Sequence, residues 1–135
     1  MSKKFIAVLN KKIEVGRVMN ALAHACIGLS SLIEGDQLGV VDYKDKDGGP
    51  HVASKFPFII LRADNSNKIR TLRNDCISKD IKFASFTDAM TVGGWEEQIK
   101  RSSDTPEEDL EYYAICLYGE EADLQDLTKK FSLWK

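Results

Sequence analysis

Phe5-Ile6-Ala7-Val8-Leu9 is an unbroken apolar run. A strand that offers no polar side to water must be covered on both faces, as in parallel sheets with helices packed above and below. Helical periodicity follows from about Glu14 to Ile33, and a second apolar run, Phe58-Ile59-Ile60-Leu61, comes later. Two buried strands joined through a helix are expected to be parallel, with a right-handed crossover. The chain is therefore expected to be an α/β protein with Phe5–Leu9 central in its sheet.

The remaining segments extend this alternation. Gly35-Asp36 breaks the first helix, and Leu38–Tyr43 and His51–Ser54 read as two arms of a hairpin around Asp45-Lys46-Asp47-Gly48-Gly49-Pro50. Asn65 or Ser66 is placed to cap a helix carrying Ile69, Leu72 and Cys76. Ile81–Phe86 predicts a third main strand ending at Thr87-Asp88, and Tyr112–Tyr118 a fourth. The polar stretch Gly93–Glu111 between them is expected to be an excursion with one helical turn, near the Thr105-x-x-Glu108 capping signal. A last helix opens on Glu120, Glu121 and Asp123, closes near Lys129 and Lys130, and turns Leu124, Leu127, Phe131 and Trp134 inward. No repeat, low-complexity tract or linker divides residues 1–135, which predicts a single domain.

Length and charge narrow the function classes. A chain of 135 residues can bury a core, and a net charge of −2 offers no bulk attraction for a polyanion. Nucleic acid, tRNA included, is therefore not an expected partner. Lys3, Lys4, Lys11, Lys12 and Arg17 crowd the N-terminal third and read first as a solvated rim. No apolar run has the length of a membrane span, and Met1-Ser2-Lys3-Lys4 leads into a strand rather than a signal peptide, so no membrane is expected. Three widely spaced cysteines, Cys26, Cys76 and Cys116, predict reduced thiols that fill the core of a cytoplasmic protein. The chain has no His-x-x-x-His pair, Cys-x-x-Cys pair, calcium loop or phosphate loop, so no metal and no cofactor are expected.

The first helix carries the candidate chemistry. At 3.6 residues per turn, Arg17, Asn20, Ala21, His24, Gly28 and Ser31 share one stripe. Val15, Val18, Met19, Leu22, Cys26, Leu29, Leu32 and Ile33 are expected to cover the core side. The stripe combines three functional groups with small residues that leave room for an approaching molecule. His24 is one of only two histidines, the other being His51 in the hairpin. Asp88 falls at the carboxyl end of the third strand, where ligands of open α/β sheets collect, although Asp is also common in turns and caps.

These residues resemble a known pattern. The helix of type 2 peptidyl-tRNA hydrolases reads Gly-Lys-x-x-x-Gln-x-x-His-Ala; Gly16, His24 and Ala25 match it, Arg17 stands for the Lys and Ala21 for the Gln. Arg62 ends the second strand where that family has a Lys, and Asp88-Ala89 matches the start of its Asp-Ala-Gly segment, with Met90 in place of the Gly. A branch of this superfamily known only as a domain of unknown function is more similar still. It has Asn-Ala-x-x-His followed by Gly-Leu, here Asn20, Ala21, His24, Gly28 and Leu29, and a hairpin with Asp-Gly-x-x-His, here Asp47, Gly48 and His51. The resemblance implies a three-layer α/β/α fold whose four-stranded mixed sheet has its last strand antiparallel, plus an inserted β-hairpin. It also places the hairpin over the mouth of the site, with His51 or Asp47 facing His24.

Two functions follow as expectations. In the first, the chain hydrolyses an ester or amide of a small, anionic, acylated substrate. His24 would orient or deprotonate water, Asp88 would hold the imidazole and Asn20 would donate to the oxyanion. Arg17, Arg62 and His51 would bind the substrate, the arginines through its phosphate or carboxylate. In the second, the cleft and its His are kept for recognising a ligand or protein without catalysis. Arg does not replace a Lys whose compact charge or shifted pKa is needed, so peptidyl-tRNA is not the expected substrate. A second copy of the chain is the expected protein partner.

Overall fold

The computed structural model describes residues 2–135. Its main sheet has five strands: β1 (Lys3–Asn10), β4 (Phe58–Ala63), β5 (Lys82–Thr87), β6 (Tyr112–Glu120) and β7 (Ser132–Leu133), in the order β5-β6-β1-β4-β7. β1 pairs with β4 in parallel from Phe5↔Phe58 to Asn10↔Ala63, as expected of two doubly buried strands. β6 is antiparallel to both β1 and β5, so β1, β4 and β5 share one direction. A separate hairpin is formed by β2 (Val40–Lys44) and β3 (Pro50–Ser54).

Both faces of the sheet are covered, and β1 shows why its sequence is apolar throughout. Phe5, Ala7 and Leu9 point to helix α1 (Val15–Ser30), meeting Val18, Ala21, Ala25 and Leu29. Ile6 and Val8 point the other way, to Ile69, Leu72 and Cys76 of α2 (Ser66–Ser78) and Leu124 of α4 (Glu121–Thr128). The period of two in the strand thus feeds two cores at once. Asn65 caps α2, its side-chain oxygen accepting the Lys68 N–H at 3.1 Å.

Several expectations need correction. The sheet has five strands rather than four. The last helix ends at Thr128; beyond it Ser132-Leu133 pairs antiparallel with β4, and the Trp134 N–H donates to the Ile60 carbonyl at 3.0 Å. Phe131 and Trp134 therefore lie past the helix, and Trp134 packs on the α1 side of the sheet with Leu22 and Ile60. A two-residue strand carries too little pattern to be read from sequence. The polar excursion holds a ten-residue helix, α3 (Trp95–Asp104). Thr105 does not cap a following helix; its hydroxyl donates back to the Arg101 carbonyl at 2.6 Å, closing α3 instead.

The core side of α1 matches the expected one at Val18, Leu29 and Ile33 and differs from it elsewhere. Val15, Met19 and Leu32 are more than half exposed, whereas Ala21 is fully buried. Beside Val18 and Leu29, the helix meets the sheet through Ala21 and Ala25, clustered with Ala7, Ala84 and Ala114. A Cβ added at Gly28 would touch the Ala84 Cβ at 3.5 Å. The small residues of the stripe therefore make room for the sheet, not for a ligand. The N-terminal basic cluster is divided too: Lys3 and Lys4 open β1 while Lys11 and Lys12 follow its end, some ~25 Å apart for an eight-residue strand. Lys3 pairs with Glu120 and Lys11 with Asp64, each at 3.0 Å.

Candidate functional site

The parallel strand β1 ends at Asn10, and after four intervening residues α1 begins. That turn places the start of α1 at the carboxyl edge of the parallel strands, where α/β proteins bind ligands. Glu14 precedes the helix in extended backbone, and no side chain caps its N–H groups. A 16-residue helix thus presents its positive end, uncapped by any side chain, at this edge. Arg17, Asn20 and His24 follow on successive turns, all exposed.

These three residues line one cleft of about 470 Å³. Glu14 and Gly16 line it at the helix start, the buried Phe86 of β5 and Tyr113 of β6 on its inner side, and Met90, Thr91, Val92 and Gln98 complete the lining. The His24 ring stacks on Phe86 with centroids 5.4 Å apart, and Phe86 in turn lies 6.2 Å from Tyr113. Phe86 and Tyr113 are buried while His24 is open to solvent, so the aromatic pair supports the imidazole from below.

A break in strand register brings Tyr113 here. Phe86 pairs with Ala114, but Thr87 pairs with Tyr112, leaving Tyr113 as an extra residue in β6. Such a bulge re-aims a side chain, and bulges are common beside functional sites. Without it Tyr113 would point to the α2 face; with it Tyr112 takes that face and Tyr113 joins the cleft. The sequence reading missed Tyr113, Phe86, Thr91 and Gln98. Its one available signal was Tyr112-Tyr113, two adjacent aromatics at the start of the strand.

Arg17, Asn20 and His24 line the same cleft; Asp88, Arg62 and His51 do not. The Asp88 carboxylate accepts the Glu111 N–H at 3.0 Å, and its own N–H donates to the Glu111 carbonyl at 2.9 Å. The Asp88 carbonyl also takes the Thr91 hydroxyl at 2.6 Å. Asp88 therefore ties the end of β5 to the start of β6, beside the cleft, and is not hydrogen-bonded to His24. Arg62 lines a separate crevice of about 90 Å³ with Asp64, Lys68 and Lys130.

The hairpin does not fold over the cleft. It enters β4 at Phe58, in register with Phe5, so it stands at the opposite end of the sheet from the start of α1. The Ser54 hydroxyl fastens it there by donating to the Leu38 carbonyl at 2.6 Å. His51 is spent inside the hairpin: its Nε2 donates to Asp45 Oδ2 at 2.9 Å, and its ring stacks on Tyr43. Asp45 also accepts the Asp47 and Gly49 N–H groups, which holds its carboxyl below the usual range, the His51 bond contributing most. Asp47-Gly48 is turn chemistry, with Gly48 at φ +82° where a side chain would be strained.

Among the described residues no group of three or more His, Cys, Asp or Glu side chains is placed to hold a metal ion, and no helix is long and apolar enough to cross a membrane. Comparison with other proteins identifies the family. Residues 3–135 match the family model described as a protein of unknown function (DUF2000), and the chain belongs to that family. A solved structure of the protein of unknown function Atu0240, from Agrobacterium tumefaciens, superposes with a TM-score of 0.85 at 16% identity. The match covers 100% of this chain and 99% of that one, so the two share a fold. No curated protein is significantly similar in sequence.

Proposed function

We propose that the cleft beside α1 binds a small, anionic, acylated molecule and that His24 promotes hydrolysis of its ester or amide bond. The observation that carries this reading is the convergence of Arg17, Asn20 and His24 on one cleft, at the uncapped positive end of a helix. An anionic group is favoured there by the helix dipole and by the Arg17 guanidinium together, against the one carboxylate of the lining, Glu14. His24, held flat on Phe86, would take a proton from water; the Asn20 amide is one turn away to donate to the oxyanion. Gly16, His24 and Ala25, with the parallel pairing of β1 and β4, also support kinship with type 2 peptidyl-tRNA hydrolases. Three free thiols favour a reducing, cytoplasmic location.

One observation favours the second reading, a binding module without catalysis. The Asp88 carboxylate is engaged by Glu111, so it does not orient His24. A single experiment separates the two. Wild type, Arg17→Ala and His24→Ala are compared by melting shift across a panel of acyl phosphates, aminoacyl esters and N-acyl amino acids, and by turnover of each compound that binds. Hydrolysis predicts a shift lost in Arg17→Ala, and turnover lowered by about 10²–10⁴ in His24→Ala. Arg17-dependent binding with turnover equal in wild type and His24→Ala selects the binding module. Binding indifferent to Arg17 refutes both.

A further inference from the structure

We propose that Cys26 and Cys116 form a peroxide-reactive thiol pair that closes to an intramolecular disulfide, fastening α1 to the sheet beneath the cleft. The two sulfurs lie 3.5 Å apart, joined by a hydrogen bond across 90 residues of chain. Closing this gap to bond length needs a movement of about 1.5 Å, within reach of rotation about the side-chain bonds. Cys26 sits on α1 two residues past His24 and is partly open, while Cys116 is buried in β6. Neither thiol has a part in the cleft chemistry.

The two sulfurs have distinct roles. The hydrogen bond from Cys116 holds the Cys26 thiol below its ordinary value, while that bond and burial push Cys116 up. Cys26, the more open sulfur, is the one that meets the peroxide, and Cys116, buried behind it, is the one that closes the bridge. In the first step the Cys26 thiolate attacks one peroxide oxygen and breaks the O–O bond; the departing hydroxide takes a proton and leaves as water. Cys26 is then a sulfenic acid. Cys116 attacks its sulfur, the S–O bond breaks, and the Cys116 proton leaves with the hydroxyl as a second water. One peroxide and two thiols give one disulfide and two waters.

Cys76 is the internal control. It is fully buried among Ile69, Leu72 and Leu124, and burial pushes its thiol up to about 12. Folded protein is treated with hydrogen peroxide, unfolded, alkylated, digested and analysed by mass spectrometry. The expected product is a monomer lighter by two hydrogens, with Cys26 linked to Cys116, Cys76 alkylated, and full reversal by a thiol reductant. Cys26→Ser and, separately, Cys116→Ala should each abolish the link, and the oxidised wild type should melt several degrees higher than the reduced. The proposal is overturned if all three thiols remain alkylatable at a peroxide dose that oxidises free glutathione. Cys26 linked between two chains, or oxidised to sulfinic acid with Cys116 untouched, overturns it equally.

Discussion

Replacing Asn10 by Ala tests how the cleft is held together. Asn10 is 1% exposed at the end of β1. Its Nδ2 donates to the Tyr112 carbonyl at 3.0 Å, and its Oδ1 accepts the Lys12 N–H at 3.0 Å. One side chain therefore joins the start of α1's entry turn to the residue before the bulged Tyr113. Alanine deprives the buried Tyr112 carbonyl of this donor, a loss of about 1–3 kcal/mol for a buried group left short of a partner. Lys12 is exposed, so its N–H is taken over by water and adds only about 0.5 kcal/mol. The expected total is about 1.5–3.5 kcal/mol, a large part of the roughly 5–15 kcal/mol that holds a domain together. At this chain length it should lower the melting midpoint by about 6–14 °C. Urea titration of wild type and variant, with the slope unchanged, gives the difference directly. Asn10→Asp supplies a sharper comparison, since it keeps the shape but faces the Tyr112 carbonyl with a carboxylate. It should destabilise more than Ala at neutral pH and recover in part as acid protonates it into a donor. A change below about 0.5 kcal/mol for Asn10→Ala would refute the reasoning, because surface substitutions of no consequence fall in that range.

Other expectations concern the ends of the fold. Arg70 donates to the Glu107 carboxylate at 2.8 Å and to the carbonyls of Glu107, Glu108 and Leu110, binding the segment before β6 to α2. Arg70→Lys keeps the charge but cannot span these acceptors, and should cost about 1–3 kcal/mol by urea titration. The Glu107 carboxyl is held below its ordinary value of 4.5 by the Tyr112 hydroxyl first and Arg70 second. A depressed carboxylate stabilises fully above its unfolded pKa, and that contribution is lost as pH falls through the folded value. Tyr112→Phe should therefore flatten the acid limb of the stability profile below about pH 4.5. In the hairpin, the Asp45 carboxyl should titrate below 3.8 by NMR and move toward that value in His51→Ala.

The sequence by itself determined the order of the main elements, α3 and β7 excepted, and the place of β1. Phe5–Leu9 is apolar at every position because it feeds two cores, and that property is local enough to be read directly. Arg17, Asn20 and His24 were legible as one group for the same reason, since a helix sets the spacing of its own side chains. What lies across from a helix is a different matter. Whether Met19 or Ala21 faces inward depends on how closely the sheet approaches, and the sheet presents Ala7, Ala84 and Ala114 from three strands distant in sequence. Asp88 ends the expected strand but its carboxylate answers to Glu111, 23 residues on, which no local pattern announces. The hairpin's position follows from the register of Phe5 with Phe58, and the turn residues Asp47-Gly48 are silent about it. Tyr113 enters the cleft through one unpaired residue between β5 and β6. Helical spacing is a property of one segment, whereas register and close approach belong to pairs of segments, so only the tertiary structure could decide them.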